Sequence, residues 1–489
     1  MKFKSLRSIL VVMTIGLVFQ SCSSDDTTIA ETTEELRGGG RGGGGNGGGG
    51  GNGGNGGGNG NNGNDVDDLS NDIVNDWSDV FLELDRHATG MRPNATARAI
   101  AYINLAAYET AVPGMRSHVS TKNLYDELTI DTDLLPRRID YRLAINAAYA
   151  DALDYFMINV PDEYRAKIVE EEESQIVSYS GNLPDDVISD SQEWGAYVAK
   201  QVIEFSETDL EAVSQITQPQ PADYEPPTGA GYWTYSAVQE RALFPYWESV
   251  RTFVISPEET TTVAPKTYSS QVGSPYHDEM LEVYEVNNKA KAEQGEDLWI
   301  AEFWSDDVEG LMMSPPGRQV SIASQLIDKY RLDLEESLTM FVKLGFSLND
   351  AAVSTWKYKY QYMVMRPSNY IHEFIDPGFQ TNLYRLVYWP NPSFPGYPSG
   401  HSSFASAAGG VFIDHFGDNT DFTDRSHQGR GEFLGDPRNF KSFSDMAEEN
   451  AFSRIPLGVH IRMDCVEGIR LGYEISDAVN DLDLERNPG

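Results

Sequence analysis

The chain is short of cysteine, of basic charge and of long apolar runs, and each shortage excludes something. Two cysteines among 489 residues rule out a framework of several disulfides, so a buried core must hold the fold. Lys and Arg number 37 against 75 Asp and Glu, a formal charge of −38. That balance argues against nucleic acid and anionic lipid surfaces as partners, because both are bound through basic footprints. After residue 22 no apolar run is long enough to span a bilayer core. No stretch alternates apolar and polar residues over several strands, and no haem, flavin or nicotinamide fingerprint is present.

What is present begins with residues 1–22. Lys2, Lys4 and Arg7 precede an apolar run from Ile9 to Phe19 and a Gln20-Ser21-Cys22 ending. The run is too short to cross a membrane and reads as a signal peptide. The ending resembles a bacterial lipoprotein box, which implies an exported lipoprotein of the outer membrane, displayed at the cell surface and attached only through a lipid anchor at Cys22. Cys465 is then left without a partner and is expected to be a small buried hydrophobe. Gly38 to Asn64 is Gly and Asn with a single Arg41. Residues 23–65 are therefore expected to be a disordered linker, with a random-coil reach on the order of 35 Å.

The body of the chain carries apolar residues at helical spacing almost throughout. Ile73, Trp77, Val80, Phe81 and Leu84 share one face, and Trp194, Val198, Val202 and Phe205 share another. The expected fold is all-α, as two helical bundles or one large bundle with irregular connectors. Residues 66–217 form an N-terminal helical region, 218–270 a connector rich in Pro, Gly and aromatics, and 271–489 a C-terminal helical region. Asn349 or Asp350 is expected to cap a helix that puts Lys359, Met363 and Arg366 near one face. Gly417 to Asp436 reads as a surface loop, and Gly468 and Gly472 as places where the backbone bends.

Three short patterns carry the chemistry. Lys359 is followed after six residues by Arg366-Pro367. Phe394-Pro-Gly-Tyr-Pro-Ser-Gly-His401 comes next, and Ser453-Arg454 is followed after five residues by His460. Guanidinium forks match tetrahedral oxyanions bidentately, and a lysine adds a movable point charge. Ser399 and Gly400 are expected to open a helix whose free N–H groups face an anion. Two imidazoles allow one to be ligand or nucleophile and the other a proton carrier. The remaining histidines have no such partner pattern and are read as structural.

In this order the three patterns resemble the signature of the vanadium-dependent haloperoxidases and the type 2 phosphatidic acid phosphatases, and among them most the bacterial iodoperoxidases. The resemblance implies an all-α fold and a vanadate cofactor. His460 would be the metal ligand, with Lys359, Arg366, Ser399, Gly400 and Arg454 on the oxygens, and His401 as acid and base. Lys359 would also polarise bound peroxide, Asp307 would orient Arg454, and Trp356 and Phe394 would flank the halide. The implied reaction oxidises halide with hydrogen peroxide to hypohalous acid, on iodide first and bromide second. Two other readings stay open. One is an acid phosphatase with phosphate as substrate, no cofactor and a phospho-histidine at His460; the other is a non-catalytic oxyanion-binding surface lipoprotein.

Overall fold

The computed structural model describes residues 66–236, 240–385 and 391–486. The expected signal peptide, the lipid-bearing Cys22 and the linker lie outside the described residues. Helices dominate. The first group is α1 (Asp72–His87), α2 (Asn94–Ala111), α3 (Tyr141–Phe156), α4 (Asp162–Ser180), α5 (Asp185–Glu207) and α6 (Leu210–Thr217). After the connector come α7 (Pro275–Glu293), α8 (Glu296–Phe303), α9 (Pro315–Tyr330), α10 (Leu334–Tyr362) and α11 (Pro367–Phe374). The chain closes with α12 (Gly400–Phe416), α13 (Phe443–Phe452), α14 (Arg454–Leu457) and α15 (Arg462–Asn480).

Helix α10 ties the two groups together. It is buried along most of its length and packs against α2 on one side and α12 and α15 on the other. Its start is fixed by a capping box between Asp333 and Glu336, which satisfies two otherwise orphaned N–H groups. The sequence leads one to expect a cap at Asn349 or Asp350, but neither is one; both sit buried in mid-helix. Asp350 instead accepts backbone N–H bonds from Phe253, Val254 and Ile255 at 2.8, 2.8 and 3.1 Å. A polar residue before an apolar run has the look of a cap. Here its carboxylate is spent on pinning the connector to the helix.

The connector also ties down the far end of α10. Trp233 donates its N–H to the Met363 carbonyl at 2.6 Å, and Met365 donates to Gly231 at 3.0 Å. Met363 adopts a left-handed conformation with φ of 51°, which ends the helix. The segment Gly417 to Asp436 is more than a surface loop: it contains β1 (Phe422–Asp424), paired antiparallel with β2 (Arg438–Phe440), and it buries Phe422, Asp424 and His427.

Helices α12 and α15 lie in close contact because small residues face each other. A Cβ on Gly468 would fall 2.5 Å from the Ser399 carbonyl, and one on Gly472 would fall 2.0 Å from Ser406 Oγ. Both glycines lie inside α15. They are not bend points, as the sequence reading had them, but the contact surface that lets two backbones approach.

Candidate active site

The cations and imidazoles of the three motifs are delivered by the ends of helices. Lys359 occupies the last turn of α10, and Arg366 is the N-cap of α11. The two therefore do not share a helix face. A chain reversal at Met363 separates them, and Pro367 at the first position of α11 enforces the new start. Ser399 caps α12, accepting the Ser402 N–H at 3.3 Å, so Gly400 and His401 stand in its first turn. Gly458, with φ of +93° and Asn287 Nδ2 only 2.8 Å from any added Cβ, turns the chain after α14. That turn brings Arg454 and His460 to one place. Ser399 N–H in turn donates to the Asp464 carbonyl at 2.9 Å, locking the α12 start to the α15 start.

These ends surround one cavity of about 500 Å³. Of the residues singled out in the sequence, Asp307, His401, Arg454 and His460 are in its polar lining, which also holds Arg92, Gln220, Glu309 and Ser393, while Trp356 and Phe394 form part of an apolar wall. The two rings pack at a tilt with centroids 4.7 Å apart. Gly400 also lines the cavity. Lys359, Arg366 and Ser399 stand directly behind: Arg366 Nη1 contacts His460, and a Cβ on Gly400 would lie 3.9 Å from Lys359 Cε.

The protonation states follow from the partners. Arg366 Nη1 lies 3.0 Å from His460 Nε2, and a guanidinium only donates. Nε2 must therefore carry a lone pair, leaving the proton on Nδ1, which donates to Asp464 Oδ2 at 3.0 Å. Burial, then the charges of Arg366 and Lys359, hold the His460 pKa well below the ordinary imidazole range, so the ring is neutral. In His401 the arrangement is reversed. Nε2 faces the Ser305 carbonyl at 3.1 Å, an acceptor, so the proton sits there and Nδ1 has the free lone pair. Burial, then the Arg454 charge, press its pKa down to about 4.

The cations are held by carbonyls. Arg454 Nη1 donates to Trp304 O at 2.7 Å, and Nη2 donates to Asp307 Oδ2 at 2.5 Å, the pairing expected from the sequence. Arg366 donates from Nε to Phe394 O and from Nη1 to Val459 O, both at 2.9 Å. Burial, opposed by the Asp464 charge, lowers its pKa to about 10. Lys359 Nζ donates to the carbonyls of Pro395, Gly396 and Pro398 at 3.0, 3.0 and 2.5 Å. Burial, then the Arg366 charge, pull its amine well below the usual range, yet three acceptors require three N–H donors and hence the ammonium form. All three of those donors are already occupied. What is left over is informative: Arg366 Nη2 and Arg454 Nε are buried with no acceptor.

The structure also adds residues that motif reading missed. Asp464 lies four positions after His460 on the first turn of α15, and an i, i+4 carboxylate and histidine could have signalled it. Arg318 has no such signal. Fully buried, it pairs with Asp306 at 2.8 Å and Asp424 at 3.2 Å and donates to Phe303 O, with His427 Nε2 beside it and 3.1 Å from the same carbonyl. This network anchors the strap 303–307 from which Arg454 and His401 take their carbonyls. His427 is structural, as expected.

Comparison with known proteins bears on the fold that holds these residues. The family model of the VCPO second helical-bundle domain matches residues 339–485, which hold every motif residue named above except Asp307. The crystal structure of the first bacterial vanadium-dependent iodoperoxidase superposes with a TM-score of 0.75 at 27% identity, covering 86% of this chain and 99% of that one. The chain has the fold of the vanadium haloperoxidases, and residues 339–485 match the model of a second helical-bundle domain. Apo and holo bacterial vanadium-dependent chloroperoxidases match with a TM-score of 0.60 at 15% identity, over 80% of this chain and 94% and 92% of theirs; at that identity they speak for the fold alone. No curated protein matches the sequence.

The pocket suits an oxyanion better than a bare metal cation. Among the described residues no three His, Cys, Asp or Glu side chains cluster to ligate an ion. Two orphaned guanidinium donors and the free N–H groups at the start of α12 are instead what a tetrahedral oxyanion satisfies.

Proposed function

We propose that the protein oxidises halide with hydrogen peroxide on a bound vanadate, releasing hypohalous acid, and that iodide is its preferred halide. The observation that carries this reading is that both imidazoles open on one cavity beside two buried guanidinium groups with N–H donors to spare. Vanadate, when bound, would supply the Lewis acid that activates peroxide without changing its own oxidation state. His460 would offer its Nε2 lone pair to the metal, releasing Arg366 Nη1 to join Nη2 on an oxygen. Arg454, the Gly400 N–H and the Ser399 hydroxyl would donate to other oxygens. Lys359 would add its charge, exchanging one of its carbonyl acceptors for an oxygen of the anion or of peroxide.

His401 takes the proton role. Its Nδ1 lone pair accepts a proton from incoming peroxide, and the Ser305 carbonyl keeps the ring oriented while it does so. Asp307 holds Arg454 in place by its ion pair. Trp356 and Phe394 provide an apolar surface on which a polarisable halide rests. The preference for iodide is supported by 27% identity to a bacterial iodoperoxidase against 15% to the chloroperoxidases. We further propose export as an outer-membrane, surface-displayed lipoprotein anchored at Cys22, a reading that the N-terminal sequence alone supports; mass spectrometry of the mature N-terminus checks it.

The deciding experiment assays halide oxidation by peroxide in metal-free protein with and without added orthovanadate, beside phosphate ester hydrolysis. Vanadate-dependent oxidation, fastest on iodide, is the expected result. Phosphatase activity that vanadate inhibits would replace this reading with the phospho-histidine one. Tight oxyanion binding without turnover in either assay would leave only a binding protein.

A further inference from the structure

Arg92, between α1 and α2, lines the same cavity as His401, Arg454 and His460, although no motif points to it. Only 6% of the residue is exposed. Its Nη2 is committed to the carbonyls of Asp85 and Met312 at 2.7 and 2.6 Å, with Arg86 O at 3.2 Å. These bonds tie the end of α1 to the segment before α9. Its other two nitrogens, Nε and Nη1, are buried and have no protein acceptor.

A guanidinium stays charged and has no lone pair, so buried N–H groups of this kind are costly until something accepts from them. The hydrogen bonds Arg92 does make go to carbonyls, none to a carboxylate. Asp85 is close enough to feel its charge, but Asp85 Oδ2 accepts from the Ser314 N–H at 2.6 Å, and burial, opposed by Arg92, raises the Asp85 pKa above the ordinary carboxylate range. Asp85 is therefore a weak counter-ion. Around it the cavity is lined by Pro93, Pro219, Leu243, Pro315, Leu383 and Pro392, with Gln220, Ser393 and the Glu309 carboxylate as the polar groups; Glu309 Oε1 accepts from the Gly90 N–H at 3.0 Å. A guanidinium with unpaired N–H groups in a largely apolar wall suits a large monovalent anion that surrenders its water readily, and suits small, strongly hydrated anions less well.

We propose that Arg92 forms a second anion subsite in this cavity, where the halide substrate is held before it reaches His401 and His460. The inference rests on the haloperoxidase reading for the identity of the anion, but the site itself stands on Arg92. The test uses crystals of the vanadate-loaded protein soaked in sodium iodide, with anomalous scattering to locate the ion. Iodide is expected in contact with the Arg92 guanidinium at millimolar concentration. In Arg92→Met that peak should vanish, and the KM for iodide should rise about tenfold while the KM for peroxide moves by less than about twofold. No peak at Arg92 in the wild type, a peak that appears only at molar iodide (an adventitious ion only), or an unchanged iodide KM in a folded Arg92→Met would overturn the proposal. If Arg92→Met does not fold, Arg92→Lys takes its place, since it keeps the charge and loses the fork, and a smaller rise in iodide KM is expected. An iodide peak at Arg92 in a protein that oxidises no halide would retain the anion site and remove the haloperoxidase reading; vanadate-dependent oxidation without the peak would do the opposite.

Discussion

His460 donates from Nδ1 to Asp464 Oδ2 at 3.0 Å, and this bond determines which ring nitrogen is available in the pocket. With the proton held on Nδ1, Nε2 is left as the lone-pair face, shared for now with Arg366. Asp464 is itself under strain of burial, which pushes its pKa up to about 7 against the opposing Lys359 charge. Asp464→Ala should weaken vanadate binding by about ten- to a hundredfold, the usual consequence of removing the partner that orients a ligating histidine. Calorimetric titration of the apo-protein measures it; affinity within twofold of wild type would show that His460 is oriented by Arg366 alone.

Activity should survive far into the acid range. Because the His401 pKa sits at about 4 rather than 6.5, the neutral ring that can take a proton persists until pH falls through about 4. The acid limb of kcat/KM should be centred there, and His401→Ala should lose most of the activity together with that limb. Stability moves with the same group. The unfolded ring binds its proton first, so the neutral folded form is fully favoured above about pH 6.5 and loses its advantage as pH falls toward about 4. A limb centred at pH 6.5 would mean that His401 is solvated in the working enzyme.

Arg318 is a test of the strap that carries Asp307. Burial alone would raise the Asp306 pKa, but the Arg318 charge and the His427 bond outweigh it and hold it to about 2. Arg318→Met leaves Asp306 and Asp424 as unpaired buried carboxylates, so it should cost on the order of 3–5 kcal/mol in urea denaturation. Where the variant still folds, vanadate affinity should fall as well, because the carbonyls of Trp304 and Ser305 lose their frame. A loss below about 1 kcal/mol would indicate that water reaches the cluster.

Gly468→Ala should damage the site from behind. Its new methyl group would sit 2.5 Å from the Ser399 carbonyl and 2.6 Å from Ser402 Cβ, so α12 and α15 must move apart. Overpacking of this kind costs about 1–3 kcal/mol and displaces Ser399 and Gly400. Thermal unfolding and vanadate titration should both report it; a drop in stability with unchanged vanadate affinity would separate the helix contact from the pocket.

Several features could be read from neighbouring residues because neighbouring residues cause them. The apolar faces of α1 and α5, the start of α12 at Ser399, and the chemistry of the three motifs all rest on local spacing. Helix α4 was missed for the same reason: it buries only Ile168 and Gln175, leaving no apolar stripe to find. Asp350 looked like a helix cap because a cap and a clamp have the same side chain; what distinguishes them is the presence of Phe253, Val254 and Ile255, about a hundred positions away.

By itself the sequence determined that this protein is helical, acidic and short of cysteine, and that it carries the cations and imidazoles for one oxyanion, since composition, periodicity and motif chemistry are properties of the chain alone. Only the tertiary structure decided that Lys359 and Arg366 approach from opposite sides of a chain reversal. It likewise decided that Arg318 and Asp306 brace the strap beneath Arg454, and that Arg92 joins the cavity from a region with no motif. Those facts depend on which distant backbone carbonyls and carboxylates come within hydrogen-bonding range, and burial fixes that range only once the helices have packed.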